Sequence, residues 1–203
     1  MEPSLQSPHL AILPLSDVGW EHASGRLLGI ALTWPRDIPD AERRASLRLV
    51  ARFLAVGGVL RFGRLGIWRV ESGVGDSRAS LNPARYARSA QRWTTVLPAV
   101  LDRHPKSGPG RDLAAILLNA CRNLGFSDET IAGLEVEQSR QPFVSGAPSV
   151  SDVTASMASD SPYRGRPMSH LMLKFPLPVR GPIIIGAGRY RGLGLCLALD
   201  TNG

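Results

Sequence analysis

The chain has 203 residues, which is enough for one compact domain or two small ones. Its hydrophobic content of 43% is ordinary for a protein with a buried core, and its apolar runs are far shorter than the roughly 20 residues that span a bilayer. The N-terminus lacks a basic segment followed by an apolar one. We therefore expect no secretory signal, no membrane partner and a cytoplasmic location.

Positive charge is the most informative bulk property. The formal net charge is +7, and all basic residues except Lys106 and Lys174 are arginine. Arginine binds phosphate through two parallel N–H groups and stacks on bases, so the composition favours an anionic polymer as partner. A GC-rich genome offers another explanation, because it enriches arginine whatever the protein does.

Metal chemistry has no signature in the sequence. There is no CxxC or HxxxH pair, so we expect neither a metal site nor a cofactor. Cys121 and Cys196 lie in apolar surroundings, which favours two buried free thiols over a disulfide. The four histidines are far apart in the chain, at His9, His22, His104 and His170.

The first half of the chain predicts short strands around one helix. Its predicted elements are strands at 9–15 and 26–34, a helix from about 40 to 55, and a bent strand or hairpin at 59–71 that breaks near Gly63. Asp37 or Asp40 can cap the helix. Trp34 and Trp68, with Trp93 later in the chain, are predicted to anchor the core.

The second half predicts more strands and a second helix. Its predicted elements are a strand at 94–101, a loop at 102–110, a helix from Asp112 with Gly125 just past its end, a strand at 131–138, a long mobile loop at 142–168, and final strands at 169–178 and 193–199. This order favours an α+β fold of antiparallel sheets, with two ferredoxin-like units over 1–90 and 91–203.

The segment from Gly186 to Gly194, GAGRYRGLG, is the most distinctive stretch. Its first two glycines resemble a dinucleotide-binding fingerprint, but a strand is predicted to follow where that motif needs a helix. A glycine loop between strands can approach a ligand closely, with arginines for phosphates and a tyrosine for a base. A tight hairpin with solvated arginines is the alternative. The predicted RNA-binding residues here are Gly186, Gly188, Arg189, Tyr190, Arg191 and Gly192.

Three stretches of the chain carry a family resemblance. They are HLAILPLSDVGWEHASGRLLGIALTWP at 9–35, RWTTVLPAVLDRHPK at 92–106, and PVRGPIIIGAGRYRGLGLCL at 178–197. The last resembles the C-terminal glycine-rich loop of the RAMP superfamily of CRISPR proteins. All three together resemble the C-terminal half of the fused subtype I-U (I-G) protein, the half that is similar to the sixth Cas family of repeat endoribonucleases.

The resemblance implies metal-independent cleavage of CRISPR repeat RNA by attack of a ribose 2′-hydroxyl on the adjacent phosphate. It implies His22 as the leading catalytic residue, in a loop between the first two strands, with His104 as second candidate and Arg26 at the phosphate. The family pattern resembles Gly-His-x-His-Ala-x-Gly, and here Trp20 replaces its first histidine. Trp20 could instead stack on a base.

Two other interpretations stay open. The chain could be a subunit of a type I effector complex that binds CRISPR RNA without cutting it, with the other subunits as partners. It could also be an unrelated α+β protein whose basic surface reflects genome composition. A basic stripe formed by Arg44, Arg48 and Arg52 on the predicted helix could hold an RNA stem, although such stripes are more often simply solvated.

Overall fold

A computed structural model describes residues 10–35, 37–63, 66–73, 76–101 and 111–200, with the side chains of 111–114 left aside. His9 and His104 therefore lie outside the described residues. Within them the chain forms five helices and nine strands that pair antiparallel throughout. The predicted α+β class is confirmed. None of the described helices combines the length and the apolar character needed to cross a membrane.

Alternating apolar residues build the first hairpin. Strand β1 (Ala11–Ser16) pairs antiparallel with β2 (Leu27–Thr33), and Ala11 lies opposite Thr33 at the open end. Every second residue of β1, starting from Ala11, is buried, because alternate side chains of a strand point to opposite faces. The hairpin thus places one face of β1 on the core and its connecting loop at the far end.

A helix and a second hairpin follow. Helix α1 (Asp40–Ala55) ends at the predicted residue, but its N-cap is Pro39 and no side chain caps it, so the prediction that Asp37 or Asp40 caps the helix is wrong. Strand β3 (Val59–Arg61) pairs with β4 (Ile67–Arg69) around Gly63, so the hairpin is the predicted alternative that the structure has. None of the α1 residues is buried. Trp68 is 40% exposed, so the prediction that it anchors the core is wrong. The first four strands form two separate two-stranded sheets.

The main sheet belongs to the second half of the chain. Its order is β7-β8-β5-β9, and β6 pairs with the first residues of β8. Trp93 at its centre is fully buried, as predicted for a core anchor. The strands are β5 (Ser89–Thr95), β6 (Ala99–Val100), β7 (Glu135–Ser139), β8 (Met168–Arg180) and β9 (Cys196–Leu199).

Three more helices precede the segment at 142–168. Helix α2 (Ala84–Ala87) precedes the main sheet, and α3 (Arg111–Asn123) lies between β6 and β7 in the chain. Gly125 lies just past α3 with a φ of +83°, as predicted. Helix α4 (Asp128–Ile131) takes the first residue of the strand predicted at 131–138, so β7 begins only at Glu135.

The predicted long loop at 142–168 contains a helix, so that prediction is wrong for 150–156. Helix α5 (Val150–Ser156) begins with a capping box: the Ser149 hydroxyl accepts from the Asp152 backbone N–H, and the Asp152 carboxylate accepts from the Ser149 backbone N–H. These two bonds satisfy amides that a helix start leaves unpaired. Tyr163, also in the segment, is buried against Val100.

One core cluster joins residues from both sides of the predicted domain boundary at 90. Apolar side chains of β1 pack with residues of β9 and of the segment before it. The glycine-rich loop contributes a 3-10 turn at Arg189–Arg191 that lies against β1. This packing fixes the β1–β2 hairpin and the glycine-rich loop relative to each other.

Candidate functional site

The loop between β1 and β2, residues 17–26, carries His22 and is called the His22 loop below. Asp17 holds its shape from within. The Asp17 carboxylate accepts hydrogen bonds from the backbone N–H and the hydroxyl of Ser24, both at 2.9 Å, and from the indole Nε1 of Trp20 at 2.7 Å. These bonds, with the Ser24 backbone first, lower the pKa of Asp17. The carboxylate therefore stays charged and keeps its donors.

The His22 loop is also held from outside. Arg85 of α2 donates through Nη2 to the Gly19 carbonyl at 3.4 Å, and the Gly19 N–H donates to the Ser145 carbonyl at 2.9 Å. Gly25 has a φ of +71°, and a side chain there would strike the carbonyl of Gly146. Sequence reasoning missed both Asp17 and Arg85. Arg85 could not be found from sequence spacing, because it lies more than 60 residues away from the loop it contacts.

His22 lies in this braced loop with an exposed imidazole. The rings of Trp20 and His22 meet edge to face, with centroids 5.7 Å apart and planes at 87°. Arg26, four residues on, is exposed as well. No hydrogen bond joins the His22 ring to another residue in the described part of the chain. The structure thus brings the rings of His22 and Trp20 together and places Arg26 at the end of the same loop.

A pocket of about 320 Å³ opens beside the His22 loop, between α2 and β9. Its lining includes Gly19 of the loop, Arg85, Arg88 and Asp200. Arg88 donates through Nη2 to the Ala198 carbonyl at 3.0 Å and forms an ion pair with Asp200. Its buried Nε has no hydrogen-bond partner among the described residues. Arginine side chains suit an anion such as phosphate, which here has to replace the Asp200 carboxylate at Arg88.

The glycines of the glycine-rich loop face the protein itself. Gly186 and Gly192 are buried with positive φ angles, and side chains there would strike the Val100 carbonyl and the Pro14 ring, respectively. Gly188 is buried against Leu193. Close approach of the loop to β1 and β6 therefore accounts for these glycines. Their predicted contact with RNA stays a prediction.

The 3-10 turn between these glycines presents the charged residues. Arg189 is half-buried, and its guanidinium lies 4.7 Å from the centroid of the Tyr190 ring. Arg191 is exposed, with its guanidinium 5.9 Å from the centroid of the Tyr163 ring. Such stacked guanidinium groups keep their N–H edges available for phosphate.

The two groups of candidate residues lie at opposite ends of β1. The His22 loop leaves β1 at Ser16, whereas Tyr190 and Arg189 line a pocket with Ala11 at the other end. A six-residue strand is roughly 20 Å long. A ligand that touches both groups must therefore be extended, as a single-stranded or helical nucleic acid is.

His170 is buried in the main sheet, as predicted for a structural histidine. Its Nε2 lies 2.8 Å from the Pro148 carbonyl, and its Nδ1 lies 3.1 Å from the Thr95 hydroxyl. Burial lowers the pKa of His170. The imidazole thus ties the segment before α5 to strand β5.

The two cysteines are buried and unpaired, as predicted. Burial raises the pKa of the Cys121 thiol to about 11 and raises the pKa of Cys196 further still, so neither is a thiolate nucleophile at neutral pH. Within the described residues there is also no group of three histidine, cysteine or acidic side chains that could hold a metal ion.

Comparisons with known proteins found no match: no family model, no curated protein and no solved structure resembles the chain significantly.

Proposed function

We propose that the chain binds CRISPR repeat RNA, cuts it without a metal, and retains the mature RNA within a type I effector complex. The observation that carries this proposal is the exposed imidazole of His22, held in a loop that Asp17 and Arg85 brace. Pre-positioned acid–base groups of this kind are what metal-independent phosphoryl transfer needs. The family resemblance of three ordered stretches adds the substrate class.

The chemistry assigns a role to each group near His22. The 2′-oxygen of a ribose forms a bond to the adjacent phosphorus while the bond to the 5′-oxygen breaks. His22 accepts the 2′-hydroxyl proton, because histidine is the side chain that most often acts as a general base. Arg26 and the pocket lined by Arg85 and Arg88 offset the charge that builds on the phosphate. His104, the second candidate for a catalytic histidine, lies outside the described residues.

The strand order supports the ferredoxin-like part of the proposal for residues 91–203. Strands β5 and β7 run parallel to each other with β8 antiparallel between them, α3 connects the first two, and β9 lies on the outer side of β5. A ferredoxin-like unit has a split βαβ arrangement with this strand order, and we propose that residues 91–203 form one. A ferredoxin-like unit has a second helix before its last strand. In this chain the glycine-rich loop lies at that place, between β8 and β9.

The test is incubation of the chain with a labelled hairpin repeat RNA in excess EDTA, beside the same RNA with a 2′-deoxy nucleotide at the cut site. We expect one product with a 2′,3′-cyclic phosphate, absent from the deoxy control. His22→Ala should slow cutting by about 100-fold or more while leaving RNA binding nearly unchanged. The matched control is Glu21→Ala, its exposed neighbour, which should cut normally. Full activity of His22→Ala would refute the assignment.

A second candidate function is RNA binding without cleavage. The observation in its favour is Trp20, which takes the place of the first family histidine and leaves His22 as the one imidazole in the His22 loop. This alternative predicts a stable complex with the repeat hairpin and no product under single-turnover conditions. Trp20→Ala should then weaken binding by the roughly 1–3 kcal/mol that stacking on a base provides.

A further inference from the structure

A second pocket, of about 460 Å³, lies at the open end of the β1–β2 hairpin and carries no role in the proposed cleavage. Its walls include the residues around Trp34 after β2, the turn from Asn123 to Phe126 after α3, and Arg189 with Tyr190 of the glycine-rich loop, and further lining residues come from β1 and from the segment after β8. Its volume falls within the range of about 300–1,000 Å³ that is usual for small-molecule sites.

The pocket combines aromatic surface with a donor that lacks an acceptor. Trp34, Tyr190 and Phe126 all line it, and Phe126 is held in place by packing on the buried Phe175 with ring centroids 5.5 Å apart. The indole Nε1 of Trp34 is buried, and no described residue accepts its proton. Buried polar groups are nearly always paired in native proteins, so this N–H needs an acceptor that the described residues do not supply.

Charged and polar groups sit on the rim. The Arg189 guanidinium lies over the Tyr190 ring and lines the pocket, so one face of that ring is covered by a cation whose N–H edges suit phosphate. Asp37 lines the pocket too, and its exposed carboxylate is an acceptor for hydroxyl groups. Aromatic faces, a phosphate-binding guanidinium and a hydroxyl acceptor together match the parts of a ribonucleotide.

We propose that this pocket binds one unpaired ribonucleotide. Its base stacks on the aromatic walls and accepts a hydrogen bond from Trp34, its phosphate contacts Arg189, and its ribose hydroxyls donate to Asp37. The identity of the ligand as part of an RNA rests on the proposed function, whereas the chemistry of the pocket does not. The site lies about one strand length from the His22 loop, so it would hold RNA away from the cut.

The first test is calorimetric titration of the whole chain with AMP, dAMP, adenosine and inorganic phosphate. We expect AMP to bind about 10-fold more tightly than adenosine, because the phosphate contact is lost, and several-fold more tightly than dAMP, because Asp37 loses a donor. Absence of measurable AMP binding at about 10 mM would overturn the proposal, as would equal affinities for AMP and inorganic phosphate.

Variants locate the binding. Trp34→Phe keeps the ring and removes the N–H, and it should weaken AMP binding about fivefold or more without unfolding the chain, which thermal melting checks. Arg189→Gln should reduce AMP affinity to that of adenosine and leave adenosine unchanged. Arg140→Gln, an exposed arginine that does not line the pocket, is the charge-matched control. Parental affinity in both pocket variants would overturn the proposal.

A last arm separates a free nucleotide from an RNA. Trp34→Phe is compared on a repeat hairpin with a single-stranded flank and on the same hairpin with blunt ends. Weaker binding of the flanked RNA alone identifies an unpaired RNA nucleotide as the ligand, and unchanged binding of both RNAs identifies a free nucleotide. If AMP binds while the hairpin is neither bound nor cut, the proposed function is wrong, and the proposal that the pocket binds a ribonucleotide is still supported.

Discussion

Asp17 controls the conformation of the His22 loop, because its carboxylate holds Ser24 and Trp20 on either side of His22. We expect Asp17→Ala to speed amide hydrogen exchange at Ser24 and Gly25 and to slow any cleavage, since the imidazole is then held less firmly. Asp17→Asn keeps one carbonyl acceptor, so its exchange rate should lie between the rates of the parent chain and of Asp17→Ala. Unchanged exchange in Asp17→Ala would show that Arg85 and Gly146 suffice to hold the loop.

His170 makes the stability of the fold depend on pH. Burial lowers its pKa below the ordinary value of 6.5, so below that pH the unfolded chain binds a proton that the folded chain does not. Stability due to this group is complete above pH 6.5 and falls as the pH drops toward the folded pKa. The slope in that window is at most about 1.4 kcal/mol per pH unit.

Urea denaturation at about pH 7.5 and 5.5 measures this effect. We expect the midpoint to fall at the lower pH. His170→Asn should be less stable at both pH values by about 2–4 kcal/mol, because buried hydrogen bonds are lost, but should lose most of the pH dependence. The surface variant His22→Asn should behave like the parent. A parental pH dependence in His170→Asn would assign the effect to another group.

At the level of elements, the glycine-rich loop depends on close backbone contact. Gly194 has a φ of +74°, and a side chain there would strike the Ile185 carbonyl, whereas Gly125 has a φ of +83° and open space around it. We expect Gly125→Ala to lose about 1–2 kcal/mol of stability from the left-handed backbone alone. Gly194→Ala should lose about 1–3 kcal/mol more from the clash, by urea denaturation. Equal losses would contradict the geometry.

Elements with a strong local pattern were predictable from the sequence. The end of helix α1 was predicted correctly, and the β3–β4 hairpin was one of the two structures predicted from the break near Gly63. Helix α5 was missed because it is only seven residues long and lies in a segment rich in serine, proline and glycine. The capping box Ser149-x-x-Asp152 was the available signal, since it satisfies amides that would otherwise discourage so short a helix.

The candidate site was predictable only in part, for a physical reason. His22 and Arg26 are neighbours in sequence, so one motif contains both. The groups that brace and extend the site, Arg85 and Arg88, reach it through tertiary packing across more than 60 residues. The pocket at Trp34 likewise needs several segments that are distant in sequence to pack together. Sequence spacing does not reveal contacts between segments that are so far apart in the chain.

On the scale of the whole molecule, positive charge is distributed unevenly, and its placement decides how RNA would lie. The exposed arginines Arg44, Arg48 and Arg52 repeat every four residues along α1, none of whose residues is buried. The pockets at the His22 loop and at Trp34 lie on the body formed by β1 and the main sheet. No α1 residue lines either pocket, so an RNA stem on α1 would add contacts outside both.

The salt dependence of RNA binding tests that placement. Each phosphate neutralised by the protein contributes roughly 0.7–0.9 to the slope of log affinity against log salt concentration. Replacing Arg44, Arg48 and Arg52 by glutamine should therefore lower the slope for a repeat hairpin by roughly 2–3, if the stem contacts all three. Affinity should fall for hairpins of any sequence, because these contacts read the backbone and not the bases.

A matched triple variant separates contact from net charge. Glutamine at the exposed positions 122, 140 and 164 removes the same three charges from elsewhere on the surface. Because screening at physiological salt limits charge effects to about 8 Å, this variant should retain nearly the parental slope. Equal slopes for the two triple variants would mean that RNA binding depends only on the overall charge. The prediction that the α1 arginines contact the RNA stem would then be wrong.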